Sequence, residues 1–248
     1  MYFEHFPDRG RPPGRKRNLQ DLLRITLGAV ELTSTRREVL DSSANNSSNL
    51  LPKNLQKSQH AIYETTVVYE FSQLARSDFE AHNNAFVWER PIVWTVPGGK
   101  NLRSGNIDLA LFSQSRDTET RIEFGKAGGS SGSTRDPKLE EDAEKLLQAS
   151  KDFRASKSES APGIGMGTVE NYVILWNQSK IKLTKKKMNE WDARCDSHAL
   201  QASKKLSATI VLECSAAVSL STFENGKHRT AYAAIYAVTP ADQSGPEG

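Results

Sequence analysis

The chain has 248 residues, a quarter of them charged, with a formal net charge of +3, which suits one sizeable α/β domain and permits nucleic-acid binding without demanding it. The basic tract from Arg9 to Arg17 has no apolar stretch behind it, so neither a secretory signal nor a membrane anchor is readable, and a cytoplasmic protein with no membrane partner is expected. The five histidines form no zinc-type pair, and Cys195 and Cys214 lack metal-ligand spacing and read as buried thiols of a reducing compartment.

Residues 1–55 read as a flexible basic and polar region. Residues 1–18 are rich in Pro, Gly and Arg, and 34–55 in Ser and Asn, so both are expected to be arms or loops, with a short helix-then-strand over Leu19–Leu32 between them. From Gln56 to Phe79 the spacing of Ile62, Val67, Phe71 and Leu74 predicts an amphipathic helix. Strands follow at Ala85–Val96, Asn106–Phe112 and Thr118–Phe124. After the flexible stretch Gly128–Ser133, Asp136-Pro137 marks a helix start, with Leu139, Ala143, Leu146 and Leu147 on one face as far as Phe153. Tyr172–Trp176 is a continuous apolar run that suits a strand covered on both faces. A basic helix over Thr184–Leu200 and strands at Ala208–Val218 and Thr230–Val238 complete a folded unit of 56–240, with 241–248 a frayed tail.

Within this order two acidic residues fall in register with one another. In Ile107-Asp108-Leu109-Ala110-Leu111, alternation puts the three aliphatic side chains on one face and Asp108 on the other; in Ile122-Glu123-Phe124 it turns Glu123 away from its apolar neighbours. Paired carboxylates on adjacent strands suit Mg²⁺, which prefers oxygen ligands and can activate a water against a phosphodiester. The spacing resembles the PD-(D/E)XK superfamily of restriction-endonuclease-like enzymes, whose signature is an Asp on one strand and Glu-x-Lys on the next. The resemblance spans Gln56 to Trp176 and implies a central mixed sheet flanked by helices, in the order α-β-β-β-α-β, here with a C-terminal α-β-β extension.

The same resemblance implies a glutamate on the first core helix, a role that falls to Glu70, with Glu64 in reserve. It also implies a lysine at position 125, where this chain has Gly125 followed by Lys126. In a regular strand Lys126 points away from Glu123, and a bulge at Gly125 would bring it back. Alternatively Lys138 or Lys145 of the next helix supplies the charge. The expected activity is a Mg²⁺-dependent endonuclease on DNA, with Mn²⁺ substituting, of a restriction or phage-defence type and with a homodimer as the default. The alternative is a catalytically silent DNA-binding or assembly module of the same fold. Asp108, Glu123, Glu64 and Glu70 taken singly also read as solvated surface charges. The basic stretches at Lys180–Lys187 and Lys204-Lys205 read equally as a phosphate track or a solvated helical face. Trp88, Trp94, Trp176 and Trp191 read as core, and no nucleotide-binding motif is present.

Overall fold

The computed structural model describes residues 1–7, 13–44, 64–81, 85–95, 102–112, 118–128, 133–156, 168–220 and 229–241. Seven strands, β1 (Tyr2–His5), β2 (Ala85–Thr95), β3 (Leu102–Phe112), β4 (Thr118–Lys126), β5 (Thr168–Ser179), β6 (Ala208–Leu220) and β7 (Arg229–Pro240), form one mixed sheet in the order β1-β6-β7-β5-β4-β3-β2. Only β4 and β5 run parallel, joined through a helix; the other neighbours are antiparallel. The helices are α1 (Pro13–Ala44), α2 (Glu64–Ala81), α3 (Pro137–Ser156) and α4 (Lys185–Leu206). The chain is thus an α/β protein with helices on both faces of the sheet.

On one face, α1 and α2 cover a dry cluster in which Leu23, Val30, Val67 and Phe71 meet Phe124, Ile174 and Trp176. Phe71 and Phe124 pack ring on ring, 4.5 Å between centroids. On the other face, α3 and α4 cover Ile107, Val173, Leu175, Tyr232 and Tyr236 with Leu139, Leu146, Met188 and Trp191. Strand alternation sorts β4 between the two: Ile122 and Phe124 go down to α1 and α2, while Glu123 and Gly125 go up to α3.

The N-terminal region departs from expectation. It is no arm with a strand: Pro13–Ala44 is one helix of 32 residues, and Leu19, Leu22, Leu23, Leu27 and Val30 are core. Its hydroxyl-bearing residues are tolerated because Thr26, Thr33 and Ser34 each donate to the carbonyl four residues back, at 2.7–2.8 Å, satisfying a buried polar group inside the helix. A short strand at Tyr2–His5, which the sequence did not suggest, adds to β6 at the sheet edge. The calls on residues 45–55 and on the tail from 242 lie outside the described residues, as do the side chains of Trp88 and Trp94. Trp176 and Trp191 are buried, and so are both cysteines, which are free thiols.

Helix α3 starts as the Asp136-Pro137 pair predicts. Asp136 Oδ1 accepts the N–H groups of Lys138 and Leu139 at 3.0 and 3.3 Å. Helix α4 is capped by Thr184, whose hydroxyl accepts the Lys187 N–H, and closes on Ser207 in a left-handed conformation. Among the described residues no helix is long and apolar enough to cross a membrane.

Candidate functional site

Strand β3 pairs with β4 only from Leu109–Ile122 to Phe112–Glu119, while its earlier half pairs with β2 alone. The two strands therefore fork just where Asp108 lies. Asp108 takes over the lost ladder contact: its Oδ2 accepts the Phe124 N–H at 2.7 Å. Opposite Asp108 on β2, Glu89 adopts φ 47, and the β2–β3 pairing skips that one step between Trp88–Leu109 and Arg90–Ile107. Here the expected alternation fails, because Leu109 and Leu111 join the cluster under α1 and α2 whereas Ile107 joins the one under α3. The irregularity re-aims the strand at the position of its carboxylate.

Glu123, on β4, is 2 % exposed and meets α3. Lys145 Nζ of that helix stands 2.7 Å from one carboxylate oxygen and donates to the other at 2.8 Å. Oε1 is nonetheless buried without a well-aligned donor. Burial, with the nearby Asp108 and Asp142 charges acting the same way and Lys145 opposing them, holds the Glu123 carboxyl up at about 8. One helical turn before Lys145, Asp142 is buried and pairs with Lys138 at 3.1 Å. Lys138 in turn lies flat across Gly125: a Cβ at 125 would sit 2.5 Å from its Cγ and 2.7 Å from its Cε. The space in which a side chain at 125 would stand is filled by the stem of a lysine from the next helix.

The predicted residues are thus sorted by geometry. Asp108 and Glu123 are brought together, and of the lysines weighed it is Lys145 and Lys138 that join them. Lys126 does not. The β4–β5 register runs without a shift from Thr118–Thr168 to Lys126–Trp176, so no bulge turns it inward; it is exposed on the opposite face, its ammonium 5.7 Å over the Trp176 ring. Glu70 does not join them either. It is carried by α2, beneath the Phe124 side of the sheet, where its buried carboxylate is taken by the guanidinium of Arg36 on α1. The helix turns Val67, Val68 and Phe71 into the core, and that rotation sends Glu70 to α1. Glu64 opens α2, and its side chain lies outside the described residues.

Three residues that sequence reasoning passed over complete the picture. Asp142 sits four residues after Lys138 and three before Lys145, a spacing that puts all three on one helical stripe. Arg121 shares the parity of Glu123 on β4 and is 2 % exposed; it donates to Glu119 at 2.6 Å, and Arg90 of β2 also pairs with Glu119. Two guanidiniums thus share one carboxylate within a few residues of Glu123. Burial lowers both arginines to about 10, and for Arg90 the Arg121 charge adds to it. Parity along Glu119-Thr120-Arg121-Ile122-Glu123 was the available signal.

Chemically, the fork holds two hard oxygen ligands, one of them with a carboxyl kept from ionising freely by burial and by like charge, flanked by two ammonium groups. Among the described residues no three His, Cys, Asp or Glu side chains group as a metal cage. A Mg²⁺ ion does not need one, since it is commonly held by one or two carboxylates together with water and substrate phosphate oxygens. Compared with protein-family models, with curated proteins and with solved structures, the chain has no match.

Proposed function

We propose that the chain is a metal-dependent phosphodiester hydrolase with a restriction-endonuclease-like core, acting on DNA. The observation that carries this reading is the convergence of Asp108 and Glu123 at a strand fork, with Lys145 Nζ 2.8 Å from Glu123. The donor set fits a hard divalent ion, which would offset the burial and the Asp108 charge that together hold the Glu123 carboxyl near 8. Asp108 and Glu123 would hold Mg²⁺, or Mn²⁺ in its place. Such an ion supplies a water of lowered pKa and neutralises charge on the scissile phosphate. Lys145 places its side-chain nitrogen beside Glu123, where it can hold a phosphate oxygen or steady a hydroxide. Lys138 places a second ammonium over Gly125, the position a Glu-x-Lys motif would use. Arg90 and Arg121 add positive potential on the same face. A restriction or phage-defence role and a dimeric state accompany this reading by analogy alone.

A second reading has its own support: a lysine that already pairs with Glu123 can stand in for a cation, which suits a catalytically silent DNA-binding module. Incubating the protein with supercoiled DNA under Mg²⁺, Mn²⁺ or chelator separates the two. Metal-dependent nicking, lost in Asp108→Ala and Glu123→Ala, is the expected result. Nicking that survives both substitutions would overturn the nuclease reading, and DNA binding with no cleavage under either metal would move it to the silent module.

A further inference from the structure

Four residues along β5 from Val173, the register partner of Glu123, the sheet face opens into a cavity of about 610 Å³. At the rise of a strand this lies about 13 Å from the carboxylates. Its walls include Asn177 and Gln178 at the end of β5, Lys187, Trp191 and Arg194 on α4, and Tyr232 on β7. The volume falls within the range of small-ligand sites, and the cavity stands at the carboxyl end of the parallel strand pair, where open α/β sheets bind ligands.

Its unmet chemistry is specific. Trp191 is 3 % exposed, yet its indole N–H has no acceptor among the described residues, and the Arg194 Nε is likewise buried without a partner. The Arg194 guanidinium lies over the Trp191 ring, 4.7 Å from its centroid, so it offers its outer face as a flat cationic surface. Asn177 Oδ1 is used by the Gln178 N–H, which leaves the Asn177 amide N–H groups as donors at the rim, while the Gln178 side chain turns to Ser34 of α1 on the other face of the sheet. The first turn of α4 is Lys185-Lys186-Lys187 with no acidic residue, three cations against the positive end of the helix dipole. Lys187 pairs with Glu190 at 2.6 Å. Lys180, Lys182, Lys185 and Lys186 are exposed, and of these Lys186 also acts on the Glu190 carboxylate. An anion at this end would offset that repulsion.

A flat cationic stacking surface, an amide donor beside a buried indole N–H without an acceptor, and a cluster of exposed ammonium groups together match a ring with acceptors on its edge that carries a phosphate. We infer that this cavity is a nucleotide-binding pocket, the base lying against Arg194 and the phosphate on the lysines that flank the start of α4. Occupancy does not depend on hydrolysis at Glu123. The same chemistry is presented by a free mononucleotide and by one unit of a polynucleotide.

Calorimetry in chelator, with AMP, adenosine, inorganic phosphate and a short oligodeoxyadenylate as probes, tests the assignment on the full chain. AMP should bind once per chain, with adenosine and phosphate each weaker by about tenfold or more. Arg194→Gln should weaken AMP by about tenfold, and the double variant Lys180→Ala, Lys186→Ala by a similar factor, whereas Asp108→Asn should leave it unchanged. The double variant alters exposed positions and keeps the test valid if Arg194→Gln misfolds. An oligomer that displaces AMP and binds more tightly marks a polynucleotide as the natural source; an oligomer that fails to displace it marks the free nucleotide. The pocket assignment is overturned if neither AMP nor the oligomer binds, if both sets of variants bind as the parent does, or if Asp108→Asn abolishes binding.

Discussion

The two faces of the sheet share the same strands and yet solve different problems. Beneath it, α1 and α2 press Leu23, Val67 and Phe71 onto Phe124, Ile174 and Trp176, and the buried carboxylate of Glu70 on α2 is answered by Arg36. Above it, β4 alone turns Glu119, Arg121 and Glu123 inward within a few residues, and α3 answers with Asp142, Lys138 and Lys145. Apolar burial contributes stability roughly in proportion to area, whereas buried charges are retained at a cost unless well paired. Both faces carry an apolar cluster that holds the fold, and it is the buried charge added on the upper face that calls for another explanation.

The sharpest way to break that division is to remove charge from the upper face. Asp108→Ala or Glu123→Gln should reduce metal-dependent cleavage by about a thousandfold, on the order of 4 kcal/mol in the barrier; Glu123→Gln should keep the melting temperature near that of the parent, and Asp108→Ala, which strips the Phe124 N–H of its acceptor, should cost only about 1–3 kcal/mol of stability. A melting point that collapses with Asp108→Ala would make the fork structural. Phe71→Ala should do the reverse, costing about 3–5 kcal/mol in urea titration because a ring leaves the Phe124 contact, with the metal requirement of any residual activity unaltered.

Next in size is a pH effect. The Glu123 carboxyl stands at about 8 in the folded protein against the ordinary 4.5, so the folded state binds its proton more tightly than the unfolded chain. The stability this contributes is fully present below 4.5 and is lost as pH rises through about 8, a loss of a few kcal/mol. In chelator, urea stability should fall across that window for the parent and fall less for Glu123→Gln. Equal slopes would mean that Lys145 already keeps Glu123 ionised. Mg²⁺ binding near neutral pH should also release close to one proton per chain, read from the heat in buffers of different ionisation enthalpy.

A smaller effect tests how tightly the upper face is packed. Gly125→Ala meets the Lys138 stem at 2.5 Å, so it should cost about 1–3 kcal/mol unless the lysine swings away. Combined with Lys138→Ala, most of that loss should return, which a double-mutant cycle would register. Lys126→Ala should change cleavage by less than about twofold, since its ammonium rests over Trp176 on the other face.

Much of the framework was legible in the chain. Strands β2 to β7 and the start of α3 at Asp136-Pro137 follow from alternation and capping, which are local properties, whereas Asp108 comes to Glu123 although the alternation of β3 breaks beside it. What was not legible depends on rotation and partnering. Helix α1 was hidden because Thr26, Thr33 and Ser34 dilute its apolar pattern while their hydroxyls bond within the helix. The sequence offered Glu70 a place in the site, but Phe71 and Val67 fix the rotation of α2 and send that carboxylate to Arg36. The lysine was ambiguous in one strand and resolvable in the next helix, where Lys138, Asp142 and Lys145 recur at four and three residues, although nothing in that recurrence says which strand the stripe will meet.

The close approach of Lys138 to Gly125 also bears on engineering. A lysine introduced at 125 by a single substitution would collide with the one already lying there, so the two positions behave as alternatives, glycine with helix lysine or strand lysine with a smaller helix residue. Passage between these states requires paired change. A search for relatives is thus better served by a coupled pattern, strand Glu-x-Gly followed by lysine in the first turn of the next helix, than by the strand motif alone.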